Sequence, residues 1–119
     1  MMELKEVNFE NAVPVDGYGP GFFRVGGEVW QGAVLLSEKG VTGWGGFSDQ
    51  KTLLALSDDI DVLFIGTGTE IAQLPSSFRS NIENAGIGIE AMNSPSACRT
   101  YNVLLSEGRR IAAALLPVY

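Results

Sequence analysis

Residues Asp61 to Met92 read DVLFIGTGTEIAQLPSSFRSNIENAGIGIEAM, and this stretch decides the fold class. Asp61-Val62-Leu63-Phe64-Ile65-Gly66 is a near-continuous apolar run, the pattern of a strand buried on both faces of a sheet. Gly66-Thr67-Gly68-Thr69 closes it. A helix is predicted over Ser76 to Asn84, with Gly86 as its C-terminal stop. Ile87 to Met92 is the next strand. Strand, helix, strand with these lengths is a crossover unit, which implies strands that run parallel.

Working outward, the unit repeats on its C-terminal side. Ser94, followed by Pro95 at the first helical position, opens a longer helix to about Glu107, and Gly108 ends it. Arg109 to Leu116 is most economically a final strand, although its alanines also suit a helix. On the N-terminal side the pattern changes near Ser48, which can cap a short helix over Asp49 to Leu56. Earlier still the chain is β-rich. Phe22-Phe23-Arg24-Val25 reads as a strand, Gly26-Gly27 as a hairpin turn, and Glu28 to Leu36 as a second strand. Gly32 inside that strand suggests a bulge or a close backbone approach. Val41 to Trp44 forms a third, short strand. Residues 1 to 21 are extended or loop-like, and the Gly and Pro of Val13 to Gly21 favour turns.

Length and composition narrow the function classes. The chain has 119 residues, enough for one domain spanning 1–119 and too few for two. A domain of this size buries roughly 65% of the surface of its unfolded chain, so it needs neither disulfides nor metals for a core. Hydrophobic residues make up 45% and charged residues 18%, a globular balance. The apolar runs fall far short of a bilayer span, so no direct membrane insertion is expected. Met1 to Glu6 has neither a basic n-region nor an apolar h-region, and a cytoplasmic location is expected. The net charge of −6 and the absence of any basic cluster beyond Arg109-Arg110 disfavour nucleic acid as a partner. There is one cysteine, Cys98, and no histidine. That removes His-based general base catalysis, the Ser-His-Asp and Cys-His arrangements and most zinc geometries. No metal, no cofactor and no catalytic residue is assigned. The question of an enzyme stays open, leaning against one.

Two features could carry binding. The Gly66-Thr67-Gly68-Thr69 loop follows a buried strand, and open α/β sheets bind ligands at the carboxyl ends of their strands. It lacks the Gly-Lys-Ser/Thr of a P-loop and the spacing of a dinucleotide fingerprint. The other feature is the helix after Ser94. Ala97, Cys98, Tyr101, Leu104 and Leu105 form its apolar stripe, so Cys98 and Tyr101 are expected in the core. Arg99 and Asn102 are three apart on the other face, where a guanidinium fork can take a carboxylate or phosphate. Among the acids, Asp58 and Asp59 suit a turn, Glu90 a salt bridge to Arg99 or Arg109, and a paired-carboxylate catalytic site has little support. Tyr18, Phe22, Phe23, Trp30 and Trp44 cluster in the Gly-rich half. They are read mostly as core, with any exposed members available to a protein partner.

These residues also form a family pattern. Gly17-Tyr18-Gly19, Phe22, Arg24, Gly32-Ala33-Val34-Leu35, Trp44 and Ile65-Gly66-Thr67-Gly68 occur in an order that resembles the Mth-domain family of unknown function. Glu90-Ala91-Met92, Ala97-Cys98-Arg99-Thr100-Tyr101-Asn102 and Glu107 to Leu115 continue it. The resemblance runs from about Phe9 to Val118, and the Arg-Thr-Tyr-Asn and Glu-Gly-Arg-Arg blocks are its specific part. Ser94 stands where members commonly place Thr, which keeps the hydroxyl. The family includes the mitochondrial respiratory complex I assembly factor 3 and the adipogenesis-associated Mth-domain protein. The resemblance implies a three-layer α/β fold: a central mixed sheet, helices on one side, and an additional antiparallel β layer from the N-terminal half. It implies a non-catalytic assembly or adaptor protein working through protein partners, with respiratory complex subunits or assembly factors as those partners and complex I biogenesis as the setting. The alternative is a small-molecule (anion) binding protein, or an enzyme of unknown reaction, using a crevice formed by Gly66, Thr67, Gly68, Thr69, Arg99 and Asn102. The oligomeric state is not legible.

Overall fold

The computed structural model describes residues 12–119. The reading of residues 1–11 therefore lies outside the described residues. The element order is β1 (Val15–Gly19), β2 (Phe22–Val25), β3 (Glu28–Gln31), β4 (Val34–Ser37), β5 (Gly40–Gly43), a 3-10 turn (Gly46–Ser48), α1 (Gln50–Leu54), β6 (Val62–Thr67), α2 (Ser76–Asn84), β7 (Gly88–Met92), α3 (Ser94–Ser106) and β8 (Ile111–Leu116). Two sheets form: an antiparallel one in the order β1-β2-β3, and a mixed one in the order β5-β4-β8-β6-β7. In the mixed sheet β6 is parallel to both β7 and β8, while β4 is antiparallel to β5 and β8. The expected mixed sheet, helices and additional antiparallel β layer are all present.

Alternation along the central strands builds two cores. Leu63, Ile65, Ala112 and Ala114 face one side, where Leu53 of α1 and Phe78 and Ile82 of α2 cover them. Phe64, Ala113 and Leu115 face the other side, with Ala97, Cys98 and Tyr101 of α3 and with Phe23 and Val25 of the small sheet. The helices, expected on one side, divide between the faces: α1 and α2 cover one, and α3, whose apolar stripe packs with Phe23 and Val25, shares the other with the β layer. Both faces of β6 and β8 are buried, which is why those strands are nearly continuous apolar runs. The aromatic cluster of the Gly-rich half divides in the same way. Trp44 packs edge-on against Phe47 at 5.8 Å in the first core, while Phe23 lies in the second and Tyr18 stays 46% exposed.

Local chemistry corrects several boundaries. The expected strand Glu28 to Leu36 is two strands, because Gly32 takes φ +80° and the chain passes there from the small sheet to the large one. The Gly-rich Val15–Gly19 segment, expected as turn, is β1, with an irregular register between Val15 and Gly17. Asp49, not Ser48, caps α1 and accepts from the Thr52 N–H. Asn93, not Ser94, caps α3 and accepts from the Ser96 N–H at 2.8 Å. Ser94 is freed for another task.

Candidate functional site

The loop after β6 sits at the carboxyl end of the parallel strands, and several of its polar groups are bonded within the chain. Ser94 is fully buried beneath it. Ser94 Oγ accepts from the Gly68 N–H at 2.9 Å and donates to the Leu116 carbonyl at 2.6 Å, while the Ser94 N–H donates to the Gly68 carbonyl at 2.8 Å. One hydroxyl therefore joins three elements: the β6 loop, the start of α3 and the end of β8. Gly66 is required by the same contact, since a Cβ there would lie 2.6 Å from Ser94 Oγ and 2.9 Å from Leu115 Cδ2. Gly68, at φ +98°, needs the freedom of glycine. Thr67 Oγ1 accepts from the Ala72 N–H at 3.0 Å, with the Glu70 carbonyl at 2.7 Å to receive its proton. Thr69 Oγ1 accepts from the Tyr119 N–H at 3.0 Å, so the end of the chain is tied to the loop.

Asn102 and Arg99 lie elsewhere. Asn102 reads the backbone of β1, its Oδ1 accepting from Val15 N–H and its Nδ2 donating to Val15 carbonyl, both at 2.9 Å. This pair of bonds fastens the small sheet to α3. Arg99 is exposed, donates to Ser96 Oγ at 3.2 Å, and lines a shallow hollow of about 270 Å³ with Thr100, Val103 and Leu104. The six candidate residues thus fall into three places: Gly66 to Thr69 around Ser94, Asn102 against β1, and Arg99 on the outer side of α3.

Cys98 and Tyr101 are in the core. Burial pushes the Cys98 thiol up to about 11, with the Arg99 charge opposing it. Burial, and then the charge of Glu38, push the Tyr101 phenol up as well. Both groups are therefore neutral at physiological pH and unsuited to nucleophilic or acid–base work. The acids Asp59 and Asp61 pair with Lys39 at 3.0 Å and with Arg110 at 3.5 Å. Among the described residues Glu90 forms no ion pair with Arg99 or Arg109, and no three His, Cys, Asp or Glu side chains cluster as metal ligands.

A larger hollow lies where sequence reasoning did not look. A groove of about 450 Å³ runs beside β7, lined by Ile71, Leu74, Ser76, Arg79 and Ala91 among others. Its signal in the sequence is faint: Ile71 lies in the mixed loop Glu70-Ile71-Ala72-Gln73-Leu74, which has no clear period, and it is 66% exposed.

Fold and loop together define a small mixed α/β domain whose strand-end loop is bonded to its own Ser94. A family profile described as "Protein of unknown function (DUF498/DUF598)" matches residues 15–116, and the chain belongs to that family. It is 47% identical to an uncharacterized protein of Rhodobacter capsulatus, over 98% of this chain and 94% of that one. It is 30% identical to the rat NADH dehydrogenase (ubiquinone) 1 alpha subcomplex assembly factor 3, over 98% of this chain but only 66% of the rat protein. A crystal structure of a Bartonella henselae protein, described as an outer membrane protein, superposes with a TM-score of 0.84 at 36% identity, covering 93% of this chain and 99% of that one. A Bordetella pertussis Mth938-like domain shares the fold at a TM-score of 0.74 and 24% identity, covering 98% of this chain and 91% of that one. The Mth-domain resemblance is thereby shown.

Proposed function

We infer that this chain is a non-catalytic assembly or adaptor protein that acts through protein–protein contacts in the biogenesis of respiratory complex I. The observation that carries this reading is the similarity to the rat complex I assembly factor across 98% of the chain. The internal bonding of the strand-end crevice supports it. The Gly68 N–H, which could otherwise hold an anion, donates to Ser94, and the Thr69 hydroxyl accepts from the Tyr119 N–H of the C-terminal segment. The partners in this reading are respiratory complex subunits or other assembly factors. Arg99, the outer side of the Gly66–Thr69 loop and the surface supported by Asn102 are the proposed contact region. Arg is a residue type favoured at interfaces, and exposed Val103 stands one turn beyond Arg99.

The proposed location is the cytoplasm. No helix among the described residues is long and apolar enough to cross a membrane. Fractionation tests the location directly, and recovery in an outer-membrane fraction would refute it. Co-purification at native expression tests the function. The expected result is enrichment of complex I subunits or assembly factors, weakened by Arg99→Glu. Recovery of none of them would overturn the reading.

A further inference from the structure

The mixed sheet ends at β7, and among the described residues no strand pairs with its outer edge. The direction of its backbone groups follows from one bond. The Gly88 N–H donates to the Asp61 carbonyl at 2.9 Å, so Gly88 faces β6. In a parallel pair alternate residues bond the same neighbour, so Glu90 and Met92 also face β6, and Ile89 and Ala91 point their N–H and C=O groups outward. Four backbone groups therefore stand in a row with no sheet partner among the described residues.

The side chains beside that edge differ by face. Ile89 and Ala91 lie on the α2 face, and the groove of about 450 Å³, lined by exposed Ile71 and buried Leu74, opens next to Ala91. Glu90 is exposed and points to the opposite face, in register with Phe64. A strand laid on this edge would place one side chain across from Glu90 and its sequence neighbours on the groove side.

The charge selects the occupant. In an antiparallel pairing with a second copy, the register that uses Ile89 and Ala91 of both chains sets Glu90 directly against Glu90 of the other copy. That is the close, non-hydrogen-bonded position, where like charges repel. The chain as a whole carries −6, which adds to the repulsion. The geometry points to β7 as a strand-addition site for an extended segment of a different protein, with Lys or Arg opposite Glu90 and aliphatic residues on the groove side. This rests on the assembly-protein reading and gives its partner a chemistry: an exposed basic and aliphatic alternating segment.

The test uses the full chain and defined probes, with hydrogen exchange resolved by NMR. The probe peptide is acetyl-Val-Lys-Val-Lys-Val-Lys-amide. The controls are the corresponding Val-Glu peptide and a block peptide of three Val followed by three Lys. The Val-Lys peptide is expected to slow exchange at Ile89 and Ala91 by about tenfold, and the block peptide to leave both unchanged. Glu90→Lys is expected to reverse the preference between the Lys and Glu peptides, by about fivefold. Ala91→Pro removes an outward donor without removing a bond to β6, and is expected to abolish protection at Ile89. Unchanged exchange at both positions, or an Ala91→Pro variant that folds and is protected like the wild type, would overturn the proposal. So would a Glu90→Lys variant that keeps the Lys preference. Those outcomes leave the assembly reading standing as long as complex I components still co-purify. Loss of co-purification in the wild type removes that reading, whatever the peptides do.

Discussion

Replacing Ser94 with alanine removes the buried hydroxyl that joins the Gly68 N–H of the β6 loop to the Leu116 carbonyl of β8. Two backbone groups lose their partner: the Gly68 N–H, now bonded at 2.9 Å, and the Leu116 carbonyl, now bonded at 2.6 Å. Ser94 is wholly buried, so water does not replace the hydroxyl without opening the structure. An orphaned buried donor or acceptor costs about 1–3 kcal/mol, and the small cavity left by one oxygen adds little. The expected loss is about 2–4 kcal/mol, a large part of the 5–15 kcal/mol that typically holds a domain together. Urea unfolding followed by Trp fluorescence measures it. With a slope of about 2 kcal/mol per M, the midpoint should fall by about 1–2 M with the slope unchanged. A midpoint within about 0.2 M of the wild type would refute the reasoning, because it would mean that these groups are satisfied without Ser94.

Asn102→Ala should release β1 from α3 by removing both bonds to Val15, at about 1–2 kcal/mol, and hydrogen exchange at Val15 should rise ahead of the central sheet. Native Cys98 should resist a thiol reagent at pH 8 and react rapidly in urea, because burial holds its pKa near 11. A thiol labelled equally fast in both states would contradict its placement in the core. The Asp49 carboxylate is held below its ordinary 3.8, first by the Thr52 hydroxyl and next by the Gly45 N–H. A depressed pKa gives stability that is present above 3.8 and lost as pH falls through the folded value, so this share should vanish only in strong acid. Asp49→Ala should destabilise α1 by about 1 kcal/mol at pH 7, read from a thermal melt, and by progressively less as the pH is lowered below 3.8.

The second half of the chain was legible because its elements announce themselves locally. The apolar run of β6, the 3.6-period stripe of α3 and the terminal glycines Gly86 and Gly108 all act within a few residues of one another. The first half was less legible. Gly17 and Gly19 disguise β1, whose strand identity comes from pairing with β2 and from Asn102, 87 residues away. Ser94 shows the limit most clearly. Next to Pro95 it has the sequence signature of a helix cap, yet Asn93 takes that role and the Ser94 hydroxyl reaches 22 and 26 residues away. The candidate site suffered for the same reason. Gly66 to Thr69 read as a loop open to a ligand, and only the fold brings Ser94, 26 residues away, against the Gly68 N–H. Arg99 and Asn102 share a helix face at three-residue spacing, but Asn102 leans toward β1 and Arg99 toward solvent. The β7 edge left no mark in the sequence, because a bare edge depends on strand order alone.

The central claim, that the chain serves the assembly of respiratory complex I, is tested most directly by deleting its gene in a host that makes complex I and resolving the membrane complexes on native gels. The expected result is less mature complex I, an accumulation of partial complexes, and recovery when the wild-type chain is restored. Mature complex I at its normal level, with no partial complexes, would contradict it.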